Sequence, residues 1–354
     1  MRRKPHSLPY KKGKVTTILT NTVTHAGYLR CLVNTIAGRD RTTPVNIDNL
    51  NIHVVKNPWQ NVKCRCLKKD TGKAVYDIET FNERYILKRV NKKMSRWDYQ
   101  ISIIQNKVSK EIGYIPQAYW YGDKIDNNNN AYTVKVLKYM RGEPKKENSY
   151  ICFEDIKTVF EKVHNVHRHY NKYAMNLSEN DRCIYRKVAT YAEKCKNEKA
   201  KKIGQAILED VVFQALCNGE QKLVLYDVHR MNIVFEQKEI SLIDLDSVLY
   251  APADYQAACF IGAYCMFSNF LDSEQQYRRL FAYCEELGYS TENIKFLLLI
   301  RIYTGLCYFE LVEDRSQEDT RNLERYWSLL KEVCEYLKND NSNLAKIILN
   351  IVVS

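Results

Sequence analysis

Residues 223–247 read LVLYDVHRMNIVFEQKEISLIDLDS. Three apolar runs, Leu223–Leu225, Ile233–Phe235 and Ile240–Ile243, have strand character. Asp227, His229, Arg230 and Asn232 interrupt them, and Asp244 and Asp246 close them. Ionisable groups inside strand sequence cost desolvation unless something compensates. Pairing the second and third runs as antiparallel arms, symmetric about Lys238, sets residue 233 opposite 243 and Asn232 opposite Asp244. Cross-strand partners have Cβ atoms ~5 Å apart. Asp227, five residues before Asn232, folds back over the same end, so three oxygen-bearing side chains meet there. Such oxygens suit Mg²⁺, which takes one or two protein carboxylates plus substrate phosphates. An aspartate beside that metal can orient a hydroxyl and accept its proton. A D-x-x-x-x-N spacing alone is uninformative, and a strand-end Asp is commonly a turn former. The combination of loop Asp, Asn, matched arms and returning Asp carries the expectation.

Working outward, residues 1–47 read as an N-terminal extension. From 48 to 143 short β-like runs (NIHVV, VKCRCLKK, KAVYDIE, RYILKRV, YTVKVLKYM) alternate with turn signals. One helix is expected within them at 94–110, with Trp97, Ile101, Ile104 and Val108 on one face. Residues 144–354 are mainly helical, with segments at 153–170, 180–198, 201–217, 254–271, 274–287, 291–312 and 318–338. A strand-rich half followed by a helical half containing one hairpin is an α+β plan with two lobes.

The chain of 354 residues is 45% hydrophobic and 27% charged, enough apolar material for a sizeable core. The longest apolar stretch, FLLLIRIY at 296–303, is broken by Arg301, which argues against a membrane span. The basic start MRRKPHSLPYKKGK has no apolar run after it, so a secretory signal is not expected and a cytoplasmic location is. Of 12 cysteines, Cys64 and Cys66 form a lone C-x-C, and Cys217, Cys259, Cys265, Cys307 and Cys334 sit in apolar helical sequence. That spacing fits buried thiols better than a zinc site or a disulfide framework. The net charge of +12 is spread along the chain, without the basic stripe and interleaved aromatics of a nucleic-acid binder.

LYDVHRMNIVF, followed by LIDLDSVLYAPADYQAA, resembles the catalytic segment of the aminoglycoside phosphotransferase and choline kinase-like superfamily, H-G-D-x-H-x-x-N, a hydrophobic hairpin and I-D-[FW]-[DE]. The resemblance covers roughly residues 50–335 and implies a bilobal protein-kinase-like fold, with a small β-rich N-lobe and a larger, mainly helical C-lobe. It implies ATP and Mg²⁺ as cofactors, Asp227 as catalytic base, and Asn232 and Asp244 as Mg²⁺ ligands. ERYILKRV resembles the strand carrying the phosphate-binding lysine, making Lys88 the candidate. Residues 138–142, with Tyr139 and Met140, would face the adenine, and Asn61 in KNPWQN would contact phosphate where a glycine-rich loop is expected. Asp254 takes the place of a structural orienter. His164, His167 and His169, on the helix resembling L-x-x-L-H, are read as structural or solvated. Leu225 and Tyr226 replace the His-Gly of the motif, and the 94–110 helix offers no obvious acidic partner for Lys88.

The leading expectation is an ATP- and Mg²⁺-dependent kinase acting on a hydroxyl of a small molecule such as an aminoglycoside, choline or an amino sugar. Acidic groups in DSEQQ (272–276) and ELVEDRSQED (310–319) suggest an amine-bearing acceptor. The alternative is a catalytically inactive kinase-like binding or structural protein. H-R-D, D-F-G and A-P-E are missing, which disfavours a protein kinase.

Overall fold

The computed structural model describes residues 63–69, 72–79, 83–125, 131–146, 149–174, 182–271, 273–338 and 342–354. The extension 1–47 and Asn61 lie outside the described residues. The chain divides into two compact units between Met140 and Arg141.

The first unit is a five-stranded antiparallel sheet of β1 (Lys63–Lys69), β2 (Lys73–Glu79), β3 (Arg84–Val90), β4 (Ala118–Ile125) and β5 (Ala131–Lys138). The strand order is β1-β2-β3-β5-β4. In β3 the side chains of Tyr85, Leu87 and Arg89 are buried, while Arg84, Ile86 and Lys88 on the opposite face are half-buried, as a period of two requires. Helix α1 (Arg96–Glu111) joins β3 to β4 and buries Ile101, Ile104 and Val108, three of the four residues expected to share a face. The Ser95 hydroxyl caps it by accepting the Asp98 N–H at 3.0 Å. Buried Asp77 accepts two hydrogen bonds from Arg84, at 2.7 and 2.6 Å, and one from Arg65 at 3.1 Å. The Arg84 hydrogen bond, above all, holds the Asp77 carboxyl below the usual carboxylate range.

The second unit begins with β6 (Glu143–Pro144) and helices α2 (Phe153–Tyr173), α3 (Ile184–Lys194), α4 (Glu198–Glu209) and α5 (Val211–Asn218). Strand β7 (Lys222–Leu225) then pairs with β10 (Val248–Ala251), and the hairpin β8 (Ile233–Glu236) and β9 (Glu239–Leu242) lies between them in sequence. Strand β6 adds to β8, giving a three-stranded sheet. Helices α6 (Tyr255–Cys259), α7 (Glu274–Glu286), α8 (Thr291–Glu310), α9 (Gln317–Lys338) and α10 (Asn343–Val353) complete the unit. Helix α8 is buried over most of its circumference and forms the centre of the helical core. Gly305 on α8 is required by packing, since a Cβ there would collide with the Tyr326 ring on α9. None of the described helices is long and apolar enough to cross a membrane.

The structure revises several expected boundaries. The 180–198 helix is the shorter α3, and 201–217 is two helices, because the Asp210 carboxylate caps a fresh start by accepting from Val212 and Phe213 N–H at 2.9 and 3.0 Å. The 254–271 segment passes from α6 into a π-helix at Phe260–Met266. The C-terminal helix α10 was not expected, although Ser342 caps it through the Ala345 N–H at 3.2 Å.

Candidate active site

The hairpin forms from the arms the sequence suggested, but its register is shifted by one residue. Ile233 faces Leu242 and Glu236 faces Glu239, so the turn is the two-residue Gln237–Lys238 rather than a loop centred on Lys238. Gln237 adopts φ 54°, the left-handed conformation that lets so short a turn close. Asn232 consequently lies opposite Ile243, whose N–H donates to the Asn232 carbonyl at 2.8 Å, and Asp244 is displaced by one position. Asp244 itself has φ 56°, which swings the chain out of the strand direction at the point where its carboxylate is exposed.

Asp227 follows β7 after Tyr226, and the loop from Asp227 to Asn232 is tied to itself. The Asn232 side-chain amide donates to the Asp227 carbonyl at 2.9 Å, and the Asn232 N–H donates to the His229 carbonyl at 2.9 Å. His229 Nδ1 accepts the Met231 N–H at 3.2 Å, and its Nε2 lies 3.2 Å from the Asn232 side-chain amide. That Nε2 lies 3.4 Å from Asp227 Oδ1. His229 thus organises the loop. Burial pushes the Asp227 carboxyl up. The hydrogen bond of His229, with the charges of Arg301 and Lys187, outweighs that and holds it below the usual carboxylate range.

Asn232 is 8% exposed, and its Nδ2 is committed to the loop. Its Oδ1 accepts no hydrogen bond among the described residues, leaving a hard oxygen available to a cation. With exposed Asp244 close along the hairpin end, the donor set fits a magnesium ion that takes its remaining ligands from phosphate and water.

One residue outside the sequence-derived set holds this segment in place. Gln256, fully buried on α6, accepts the Leu225 N–H at 2.8 Å and donates to the Leu225 carbonyl at 3.3 Å, fixing the chain two residues before Asp227. Asp254 orients a different element. Its carboxylate accepts from the Ser290 N–H and the Asn293 amide, both at 2.8 Å, and so anchors the start of α8. The signal for Gln256 was present in sequence as a lone amide in the apolar run YQAACFIGAYC, since a buried amide demands partners. Tyr226, where glycine stands in the motif, has Lys187 Nζ 4.1 Å and Arg301 Cζ 4.7 Å from its ring centroid.

The remaining candidates lie in the first unit. Lys88 is half-buried at the centre of β3, facing Val75 on one neighbour and Lys135 on the other. On α1, Gln105 donates to the Pro116 carbonyl at 3.3 Å, and Asp98 accepts from Ser95 and pairs with Lys92 at 3.6 Å. Tyr139 and Met140 follow β5 and are half-buried. The Tyr139 N–H is already taken by the Arg84 carbonyl at 3.1 Å, and the Arg84 guanidinium lies 3.9 Å over its ring. Of the histidines on α2, His164 and His167 both contact the Tyr289 hydroxyl, at 2.8 and 3.4 Å, and His169 meets the Asn165 carbonyl at 2.8 Å. They are structural.

No family model matches the chain, and no curated protein matches it in sequence. Solved structures do match in fold. The amicoumacin kinase hAmiN, in complex with AMP-PNP, Ca²⁺ and Ami, aligns with a TM-score of 0.61 at 15% identity, over 76% of this chain and 87% of that one. Choline kinase from Cryptosporidium parvum Iowa II aligns at 0.56 and 11% identity, over 83% and 94%. Choline kinase LicA from Streptococcus pneumoniae aligns at 0.53 and 13% identity, over 77% and 94%. The fold is therefore protein-kinase-like, with a β-rich first unit and a mainly helical second unit, as the resemblance implied.

Proposed function

We propose that the chain is an ATP- and Mg²⁺-dependent phosphotransferase that phosphorylates a hydroxyl of a small molecule. One observation carries this reading. A self-tied loop presents Asp227 as an ionised carboxylate, leaves Asn232 Oδ1 uncommitted, and stands beside Asp244 in a left-handed turn. Left-handed backbone at a non-glycine residue costs about 1–3 kcal/mol and concentrates at functional sites. Solved kinases of the same fold act on small molecules and, in one case, hold a nucleotide analogue and a divalent ion.

In this mechanism Asp227 orients the acceptor hydroxyl and takes its proton as the oxygen attacks the γ-phosphorus. Asn232 Oδ1 and the Asp244 carboxylate would hold the metal, which when bound neutralises charge on the transferring phosphate. Lys88 supplies a cation for the nucleotide phosphates, and Tyr139 and Met140 form the edge that receives the purine. Because the Tyr139 N–H is occupied, the purine must find its hydrogen bonds at other backbone groups of the 138–142 segment. An inactive protein was suggested by the loss of His-Gly before the base. The restraint on this strand comes instead from Gln256 and His229, which weakens that alternative.

Thermal denaturation with ATP and Mg²⁺ tests the reading. At ~100 times its Kd the nucleotide should add about 2.7 kcal/mol to the folded state. Absence of any shift, with or without metal, would sink it.

A further inference from the structure

The acidic segments at 272–276 and 310–319 suggested an acceptor carrying an amine. Two cations packed against Tyr226, the residue before Asp227, point the other way. Arg301, in the middle of α8, is 4% exposed, and its Nε has no hydrogen-bond partner. Lys187, on α3, is half-buried. Neither cation forms an ion pair with a carboxylate among the described residues, although both act electrostatically on Asp227. Both rest on the ring of Tyr226, the residue immediately before the base. Buried cations without a counter-ion are costly, and proteins normally pair them or replace them with apolar side chains. Here two cations and one carboxylate leave a surplus positive charge beside the hydroxyl-activating group. Lys187 responds to that crowding. Burial, then the charge of Arg301, pulls its ammonium down to about 8, although Asp227 opposes the shift.

We infer that Lys187 and Arg301 are specificity determinants for the acceptor, receiving a carboxylate or phosphate group next to the hydroxyl that Asp227 activates. The acceptor class is then a hydroxylated acid, and ammonium-bearing acceptors are repelled from the same position. This rests on the phosphotransfer reading and narrows it. Guanidinium and ammonium donors bind carboxylate and phosphate through charge-assisted hydrogen bonds, and the Tyr226 ring holds both donors in position.

The test uses the full chain with ATP and Mg²⁺ and matched acceptors that differ in charge. They are glucuronate, glucose and glucosamine; glycerate, glycerol and choline; and glycerol 3-phosphate to separate phosphate from carboxylate. ADP release should favour the acids over the amines by at least about tenfold in kcat/KM. Lys187→Met should remove that advantage, Lys187→Arg should retain it, and Lys187→Glu should reverse it toward the amine. Circular dichroism confirms that each variant is folded, and the arginine variant serves if the methionine variant is not. Three results would overturn the inference: preference for the amines, consumption of no acid, or an acid-to-amine ratio unmoved by Lys187→Met. A fourth is a loss of ATP affinity in Lys187→Met as large as the loss of acid use, which would assign the cation to the nucleotide. If ATP·Mg²⁺ fails to stabilise the intact protein, the phosphotransfer reading falls as well. Stabilisation by ATP with rejection of acids removes only the acceptor class.

Discussion

Arg84 in the sheet and Arg301 in the helical core solve the same problem in opposite ways. Arg84 meets Asp77 through two short hydrogen bonds, with Arg65 adding a third. Arg301 is buried more deeply, yet its neighbours are the ring of Tyr226 and the side chains of Tyr326 and Cys259. His167 is a third case, a basic group buried on α2 and kept neutral. Burial first, then the charges of His164 and Lys222, pulls it down to about 3. A cation that serves architecture is paired or discharged. One that stays charged and without a carboxylate beside a candidate base is waiting for a charge from outside.

The largest effect that probes this contrast concerns the base itself. Asp227→Ala should leave ATP affinity by calorimetry nearly intact while lowering turnover by roughly 10²–10⁴. Equal turnover would strip Asp227 of its role and the nearby cations of their meaning. Next, Gln256→Ala should cost about 1–3 kcal/mol in urea unfolding, because the Leu225 backbone groups lose their buried partners. A variant as stable as the parent would show that β7 is held by other contacts.

The discharged histidine gives a pH effect. Its pKa rises from about 3 when folded to ~6.5 when unfolded. The unfolded chain therefore binds the extra proton between those values. This contribution is complete above about pH 6.5 and is lost as pH falls toward 3. By pH 5 it should remove about 2 kcal/mol, and His167→Gln should flatten that part of the stability profile. An unchanged slope would place the titration elsewhere. The smallest effect is the most direct comparison. Arg84→Met leaves buried Asp77 short of its main partner and should cost about 1 kcal/mol. Arg301→Met breaks no direct ion pair and should cost less than Arg84→Met in the same assay. Equal destabilisation would erase the distinction between the two arginines.

Much of this molecule is legible without coordinates, for local reasons. RYILKRV reads as a strand and forms β3, and the polar run from Asp227 to Asn232 reads as a tight loop and forms one. The hairpin register was not legible. EQKE contains no glycine or asparagine to mark a left-handed position, and Gln237 takes it anyway, moving every partner by one. Contacts distant in sequence were also hidden. Arg301 interrupts FLLLIRIY and was visible as an obstacle to membrane insertion, but nothing local linked it to Tyr226, 75 positions earlier. The duty of Gln256 was hidden too, because an orienting residue is defined by what it reaches: Asp254, the expected orienter, reaches α8, and Gln256 reaches β7.

The positive φ of Asp244 makes side chain and backbone separable in an experiment. Alanine at this position removes the carboxylate and also disfavours the turn, so any loss it causes is ambiguous. Glycine removes the carboxylate and welcomes the turn. The difference between the two variants therefore measures what the fold spends on presenting a ligand, and the glycine variant alone measures what the ligand is worth.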